Sequence, residues 1–373
     1  MEEHADATKL GSSMSSCLPL LVFQHRHHGQ EDVDNEMLMF SISKQSLHKN
    51  MEHGLLAVGN SSMCWTTPQG WILLARARDH DAAVSSACLW NPSTGDKLPL
   101  PDIITEEHEI PYHNRCMLSH KDPTHPGCVV VLFSYETPDF WYCHTAGDGG
   151  ENNSISWRHH SYDIGNCASV PKPPKGKKAR RSIRPIKRVI FLMASFQGKI
   201  YFSQSSSKDN MCAIDFSSCT STTNHNRPRF QKFNFPFVDL PKELSSGKKW
   251  LVESQDQLFA VTMGFIAFNP NNIGAIEVYR MDSSSSTQDR WRRVHDIGDV
   301  VFLLEEDANT AASCSASILG LKANQIFFMK NIIDDDADLC IFDLETNTQE
   351  ITQVHHHDDL ILCRKPFWIV PPS

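Results

Sequence analysis

The sequence predicts an all-β protein, specifically a divergent β-propeller of about six four-stranded blades. Three observations support this fold class. Apolar residues recur at a period of two rather than 3.6, in short runs bounded by Gly, Pro, Asn, Asp and Ser. The order of strand, strand, turn and strand returns at spacings of about 50 residues, which is typical of propellers and solenoids. The 373 residues include 20 prolines and 18 glycines, which suits a fold with many turns.

The clearest unit lies between residues 70 and 100, where two apolar runs are followed by the turn sequence Asn91-Pro92-Ser93-Thr94-Gly95-Asp96 and a third run. The other runs form similar groups. In chain order the predicted strands are 18–23 and 37–42; 55–58, 70–75, 87–91 and 97–100; 115–118, 127–135, 139–144 and 156–162; 189–194, 199–203, 211–215 and 229–235; 250–254, 257–261, 275–281 and 291–296; and 300–304, 317–319, 325–329, 338–343 and 350–354.

The terminal run 366–370 has no neighbouring run with which to pair. We expect it to pair with the short amino-terminal group, because this would close the ring and hide the sheet edges. The predicted organisation is a disordered amino terminus at 1–16 and a single propeller domain at 17–373. An irregular β-sandwich is the alternative fold, since it also has closely spaced strands. WD40 and kelch signatures are absent from the sequence.

Composition excludes several classes of protein. The formal net charge is -9, so we do not expect nucleic-acid binding by the chain as a whole. No apolar run approaches the roughly 20 residues of a membrane span, and the acidic start of the chain does not resemble a secretory signal. We therefore expect a protein of the cytoplasm or nucleus with no membrane contact, whose 12 scattered cysteines are reduced core residues.

The strongest compositional outlier is a basic segment at 171–188, predicted to be a flexible loop between two blades. Its dense positive charge and prolines prevent burial of apolar area. It is a candidate nuclear-localisation signal or anionic-partner patch, and otherwise a solvated insertion. Its basic residues are Lys172, Lys175, Lys177, Lys178, Arg180, Arg181, Arg184, Lys187 and Arg188.

We expect no catalytic, cofactor-binding or metal-ligating residues. The sequence contains no nucleophile elbow, zinc-protease motif, phosphate-binding loop or dinucleotide fingerprint. Histidines at 25, 27 and 28, at 159–160 and at 355–357 lack zinc-site spacing, and acidic clusters at 305–307 and 334–338 lack that of a calcium loop. A propeller-fold hydrolase with converging acids in the axial channel remains the enzymatic alternative.

Several motifs follow one another along the chain. They are Gly70-Trp71-Ile72-Leu73-Leu74, Leu89-Trp90-Asn91-Pro92-Ser93-Thr94-Gly95, Leu98-Pro99-Leu100-Pro101, Gln197-Gly198-Lys199-Ile200-Tyr201-Phe202, Leu251-Val252-Glu253-Ser254, Ile276-Glu277-Val278-Tyr279-Arg280-Met281-Asp282 with Trp291, Asp296-Ile297-Gly298-Asp299-Val300-Val301-Phe302-Leu303 and Phe367-Trp368-Ile369-Val370-Pro371. In this order the chain resembles the plant KIB-type β-propeller family. No single motif is diagnostic, and the resemblance runs from about residue 17 to the end. The motif residues expected to be structural are Gly70, Trp71, Asn91, Pro92, Gly95, Trp291, Phe367 and Trp368.

The resemblance implies a non-catalytic, monomeric protein-interaction module, similar to the substrate-recognition propeller of plant F-box proteins. In that family an F-box, a helical module placed before the propeller, contacts the Skp1-cullin ubiquitin ligase machinery. Only 16 residues precede Cys17 here, so we expect Skp1-cullin contact only if the full gene product contains an F-box. A stand-alone nuclear scaffold that binds an unknown target protein is the other possibility.

Overall fold

The computed structural model describes residues 14–27, 36–49, 62–76, 87–103, 114–146, 156–167, 186–203, 210–219, 227–244, 246–285, 290–306, 310–330, 337–355 and 360–372. These residues form six β-sheets, which are the blades of a propeller. Helical structure in this part of the chain is limited to Met14 and Ser15, the one-turn helix α1 (Ala316–Leu319) and 3-10 turns at Ser217–Cys219 and Ile266–Phe268. The predicted all-β fold class is confirmed.

The strands are, in chain order, β1 (Leu20–His27), β2 (Glu36–Ser41), β3 (Ser46–Lys49), β4 (Ser62–Thr66), β5 (Ile72–Arg76), β6 (Ala87–Trp90), β7 (Lys97–Leu100), β8 (Asn114–Leu118), β9 (Val129–Ser134), β10 (Asp139–His144), β11 (Arg158–Ser161), β12 (Met193–Phe196), β13 (Lys199–Ser203), β14 (Asn210–Asp215), β15 (Arg229–Pro236), β16 (Ser246–Ser254), β17 (Gln257–Phe265), β18 (Ile273–Met281), β19 (Trp291–Val294), β20 (Val300–Leu304), β21 (Ala311–Ser315), β22 (Gln325–Lys330), β23 (Ala337–Asp343), β24 (Thr348–His355) and β25 (Leu360–Ile369).

The first blade has the strand order β25-β1-β2-β3, and the second to fifth blades are β4 to β7, β8 to β11, β12 to β15 and β16 to β19. The sixth blade has five strands, in the order β21-β20-β22-β23-β24. The first-named strand of each blade lies nearest the axis. These inner strands contact one another between blades: β4 contacts β8, β12 contacts β16, and β16 contacts β21.

The ring closes as the sequence predicts. Strand β25 pairs antiparallel with β1, with Leu20 opposite Ile369 and Val22 opposite Phe367. The indole N–H of Trp368 donates a hydrogen bond of 3.1 Å to the Leu304 carbonyl in the sixth blade. The carboxy-terminal strand is therefore the inner strand of the first blade and is tied to the last one.

The sixth blade contains the main departure from the predicted strands. Residues 317–319 are helical rather than extended, because Ser315 caps a helical turn by accepting a bond from the Ile318 amide. Gly320, in the left-handed conformation at φ 66°, ends that turn. The strand lies just before it as β21, and β20 pairs antiparallel with β21 but parallel with β22.

Three smaller differences occur elsewhere. Strand β3 has no predicted counterpart, since its sequence Ser-Leu-His-Lys is too polar to form an apolar run. The predicted strand 189–194 lies later, at β12, where Met193–Phe196 pairs with β13. The predicted strand 55–58 lies outside the described residues, and the inner strand of that blade is β4.

Neighbouring blades bury both faces of the sheet between them. In β9, Val129, Val131 and Phe133 pack into the cluster shared with the fourth blade. Val130 and Leu132, which point to the opposite face, pack into the cluster shared with the second blade. Central strands of a blade therefore consist of continuous apolar residues.

Tryptophan side chains connect successive blades. The Trp157 indole N–H donates to the Pro101 carbonyl at 2.9 Å, and the Trp291 indole N–H donates to the Pro236 carbonyl at 3.1 Å. Trp157 lies just before the fourth strand of its blade and Trp291 begins the fourth strand of its own, while Pro101 follows and Pro236 ends the fourth strand of the preceding blade. This repeated contact fixes the outer edges of two pairs of blades.

We expect Trp291→Phe to lower the free energy of unfolding by about 1 kcal/mol more than Trp141→Phe. Both changes remove ring area from a buried site, but only Trp291 donates a hydrogen bond to a carbonyl; the Trp141 indole N–H is buried with no hydrogen-bond partner. Urea unfolding of the two variants measures the difference, and equal losses would contradict a stabilising role for the contact.

Gly70 lies where the carboxy terminus crosses the second blade. Its φ of +87° is in the region that favours glycine, and an added Cβ would lie 2.5 Å from the Pro372 nitrogen. The chain end passes so closely over this turn that no side chain fits between them.

Gly70→Ala should therefore lower the free energy of unfolding by about 3 kcal/mol, since it adds both backbone strain and a steric clash. Gly165→Ala is the matched control, because Gly165 also has a positive φ, +98°, but no atom within 4 Å of an added Cβ. Gly165→Ala should lower the free energy of unfolding by only about 1 kcal/mol. Similar losses in urea unfolding would show that the chain end yields to the new methyl group.

Candidate functional site

The inner strands of the blades end around one mouth of the axial channel. A cavity of about 320 Å3 lies at this mouth, and residues of the second to sixth blades and of the carboxy terminus line it. We call this cavity, together with its lining residues, the channel mouth. Its lining residues are Pro68, Gln69, Lys121, Ala194, Ser195, Glu253, Ser254, Gln255, Val300, Ala311, Ser313, Cys314, Ser315, Ile318, Leu319, Pro371 and Pro372.

One wall of the channel mouth holds an ion pair. The Lys121 ammonium lies 3.0 Å from a Glu253 carboxylate oxygen and 3.6 Å from a carboxylate oxygen of Asp256. The same Glu253 oxygen accepts a 3.0 Å hydrogen bond from the Asp256 amide. Lys121 follows β8, whereas Glu253 lies next to the last residue of β16, so this wall forms only when the third and fifth blades meet at the axis.

Burial raises the pKa of the Glu253 carboxyl above its ordinary value of 4.5, and its contacts with Lys121 oppose that effect. Asp256 lies further out, with a side chain that is 93% exposed. Lys121 is thus shared between a partly buried carboxylate and an exposed one.

The opposite side of the channel mouth is apolar. Ile318 is 84% exposed, although isoleucine usually lies in the core. The one-turn helix α1 presents it beside Leu319, Pro371 and Pro372, which also line the cavity. Ala316 of the same turn is fully buried, so the helix is fixed to the sixth blade.

The serines near the channel mouth are held in structural hydrogen bonds. The Ser254 and Ser313 hydroxyls lie 2.7 Å apart, and the Ser195 hydroxyl donates to the Ser119 carbonyl at 2.7 Å. The Ser119 hydroxyl lies 2.9 Å from His120 Nδ1, but Ser119 is only 1% exposed and its oxygen accepts the Val129 amide. This serine and histidine order the loop after β8 and do not present a nucleophile to the cavity.

Among the described residues, no three His, Cys, Asp or Glu side chains are grouped as metal ligands would be. His159 pairs with Asp139 at 3.3 Å, and His120 stacks on His125 with ring centroids 4.1 Å apart. Burial lowers the pKa of His120, with a smaller contribution from His125. Within the same part of the chain, no helix has the length and apolar character needed to cross a bilayer.

The basic segment 171–188 lies mostly outside the described residues, which include only its last three. There, Lys187 forms an ion pair with Asp163, and the Arg188 amide donates to the Gly165 carbonyl at 2.9 Å. Its proposed roles therefore remain predictions. Lys172, Lys175, Lys177, Lys178, Arg180, Arg181 and Arg184 belong to the part that is not described.

The family-motif residues lie in turns and blade contacts. The Asn91 side chain accepts the amides of Ser93 at 2.9 Å and Thr94 at 3.2 Å, and the Gly95 amide donates to the Asn91 carbonyl at 2.8 Å. The buried Pro92 lies inside this turn.

At the channel mouth, the Trp71 carbonyl accepts the Thr67 amide and hydroxyl, which closes the turn that contains Gly70. Phe367 and Trp368 are buried in β25.

Sequence reasoning did not identify Lys121, Glu253 or Ile318 as site residues. They are common residue types from distant parts of the chain, and no spacing connects them. No local signal would have found them, because Lys121 and Ile318 follow the inner strands β8 and β21 whereas Glu253 lies within β16.

The chain belongs to the KIB1-4 beta-propeller family, whose model matches residues 39–343. The resemblance drawn from the motifs is thus confirmed, and membership of this propeller family indicates a protein-interaction module. No curated protein sequence matches the chain.

Solved structures show only distant similarity. One is a candidate 6-phosphogluconolactonase from Bacteroides fragilis, 9% identical with a TM-score of 0.37, covering 93% of this chain and 96% of that one. Another is a protein from Lactobacillus plantarum, also 9% identical at a TM-score of 0.37, covering 90% and 96%. The polysaccharide lyase Uly1 is 9% identical at a TM-score of 0.24, covering 85% and 79%. At such scores we draw no argument from these proteins.

The raised pKa of Glu253 predicts a pH dependence of stability. A carboxyl that binds its proton more tightly when folded stabilises the protein below its unfolded pKa, and this contribution is lost as pH rises through the folded pKa. The wild-type chain should therefore lose stability relative to Glu253→Gln as pH rises from below 4.5 to neutrality. Urea unfolding of both proteins across this range provides the test, and parallel curves would contradict the prediction.

Proposed function

We propose that this propeller is a non-catalytic protein-interaction module that binds its partner at the channel mouth. The observation that carries the proposal is Ile318, a largely exposed isoleucine on a fixed helical turn beside a cavity. Protein interfaces commonly place apolar anchors at the centre of a patch with polar groups around them. The channel mouth offers both kinds of group, with the apolar Ile318 and Leu319 on one side and the charged Lys121 and Glu253 on the other.

The rigidity of the site supports recognition of a partner. Ile318 lies on a turn whose Ser315 cap and buried Ala316 fix its position, so little conformational entropy is lost when a partner contacts it. The Lys121 and Glu253 side chains are likewise held by their ion pair. A prearranged mouth of this kind suits selection of one partner segment.

Within this module class, we propose the role of a substrate receptor for a ubiquitin ligase, in which the propeller holds an unidentified target protein. Family membership supports this role. Contact with the Skp1-cullin machinery requires an F-box in the full gene product. A propeller-only relative that acts as a nuclear scaffold would hold its target by the same mouth without ligase contact. In either role we place a monomer in the cytoplasm or nucleus.

The test compares two exposed isoleucines. Ile318→Ser should weaken partner binding at least about tenfold, because it removes the apolar anchor at a centre of contact. Ile351→Ser is the matched control: Ile351 is also exposed, but it lies on β24 in the outermost strand of the sixth blade. Both variants should retain stability within about 0.5 kcal/mol, since exposed side chains contribute little to folding.

The measurement is affinity purification of wild type and both variants from native tissue, with and without proteasome inhibitor, followed by mass spectrometry. Partners lost by Ile318→Ser but kept by Ile351→Ser support the channel mouth as the binding site. Recovery of Skp1 and cullin would support the receptor role. A reproducible partner without them would favour the scaffold, and partners retained equally by both variants would refute the site.

A further inference from the structure

We propose that the partner segment bound at the channel mouth carries a lysine or arginine next to an aliphatic side chain, and that this cation binds Glu253. This inference deepens the proposed function and rests on it. It adds the chemistry of the ligand, which family membership does not specify. Four features of the channel mouth lead to it.

First, Glu253 is placed to receive a cation from the cavity. Its side chain is 16% exposed and lines the cavity. The Lys121 ammonium and the Asp256 amide both contact Oε1, the same one of its two carboxylate oxygens. A carboxylate in a partly desolvated wall attracts a cation more strongly than one in water, because the local dielectric constant is lower.

Second, a cation of the partner can replace Lys121 as the partner of Glu253 without leaving Lys121 unpaired. Lys121 lies 3.0 Å from Glu253 but also 3.6 Å from the exposed Asp256. When a partner ammonium or guanidinium approaches Glu253, Lys121 can remain with Asp256 at the rim. The exchange therefore avoids the cost of stranding a buried charge.

Third, two further carboxylates lie next to the ion pair of Lys121 and Glu253 that lines the cavity. Asp299 accepts bonds from the Ser315 hydroxyl at 3.0 Å and the Ser317 amide at 3.0 Å, so its carboxylate lies beside Ile318. Among the described residues, the charged groups that line the cavity are Lys121 and Glu253, which balance each other; the neighbouring Asp256 and Asp299 then add two negative charges. These negative charges would repel an acidic partner and attract a basic one.

Fourth, the shape and polarity of the cavity suit a long cationic side chain. Leu319 and Pro371 line the same cavity as Glu253. Lysine and arginine cover apolar surface with their hydrocarbon stems while their charged ends reach polar groups. The neighbouring aliphatic residue of the partner would then contact Ile318, which lines the same cavity.

The experiment uses the full chain to select from a displayed library of short random peptides, with Ile318→Ser as the counter-selection protein. We expect selected peptides to contain lysine or arginine within two or three residues of an aliphatic residue. One selected peptide, together with versions that carry glutamine or glutamate in place of its basic residue, is then titrated against wild type and variants.

Glu253→Gln and Lys121→Met should change the binding affinity in opposite directions, and the charge of the ligand decides which of the two weakens binding. For a cationic ligand, Glu253→Gln should weaken binding about tenfold, whereas Lys121→Met should strengthen it about threefold because it removes the competing cation. For an anionic ligand, Lys121→Met would weaken binding. Lys44→Met, which removes a lysine from the turn between β2 and β3 in the first blade, is the matched control and should change little.

Selected peptides that are acidic or uncharged, or binding that Lys121→Met weakens, would overturn the inference but leave the channel mouth as a binding site. Peptides that bind wild type and Ile318→Ser equally, or no selection at all, would overturn both the inference and the proposed site.

Discussion

The antiparallel pairing of β1 with β25 is the contact on which the rest of the structure depends. It joins the two ends of the ring, so the first and sixth blades pack against each other and the edge of β1 is covered by a paired strand. The entropic cost of joining distant segments rises only slowly, by about 0.6 kcal/mol for each doubling of loop length. Closure also places the chain end over Gly70 and beside the cavity, so the same contact completes the channel mouth.

Once the ring is closed, each blade has a neighbour on both faces. This explains why strands such as β9 are buried along their whole length, with alternate residues packing into two different clusters. The blades are then held by apolar burial between sheets and by a few directed contacts, such as the Trp157 and Trp291 indole bonds to proline carbonyls. A rigid ring results, and turns at its mouth can vary without loss of the core.

The additional strand of the sixth blade gives the channel mouth its asymmetry. Hairpin β20 to β21 places a run of small residues, Ala311–Ser315, on the axis beside β16, where larger side chains would fill the channel. The turn that follows presents Ile318 to solvent. An apolar side therefore faces the wall of Lys121 and Glu253, and this contrast defines a site that the other blades do not repeat.

By itself, the sequence determined the fold class, the approximate positions of most strands, the closure by the terminal run and the family. These features depend on local patterns, namely apolar runs, turn residues such as Asn91 to Gly95 and the order of motifs. It did not determine the helical turn at α1, because a short apolar run does not distinguish a strand from a helix until caps such as Ser315 and Gly320 are in place. Only the tertiary structure decided the candidate site. Lys121, Glu253 and Ile318 line one cavity because ring closure brings three blades to one axis. No local pattern in the sequence indicates that these residues lie close together in space.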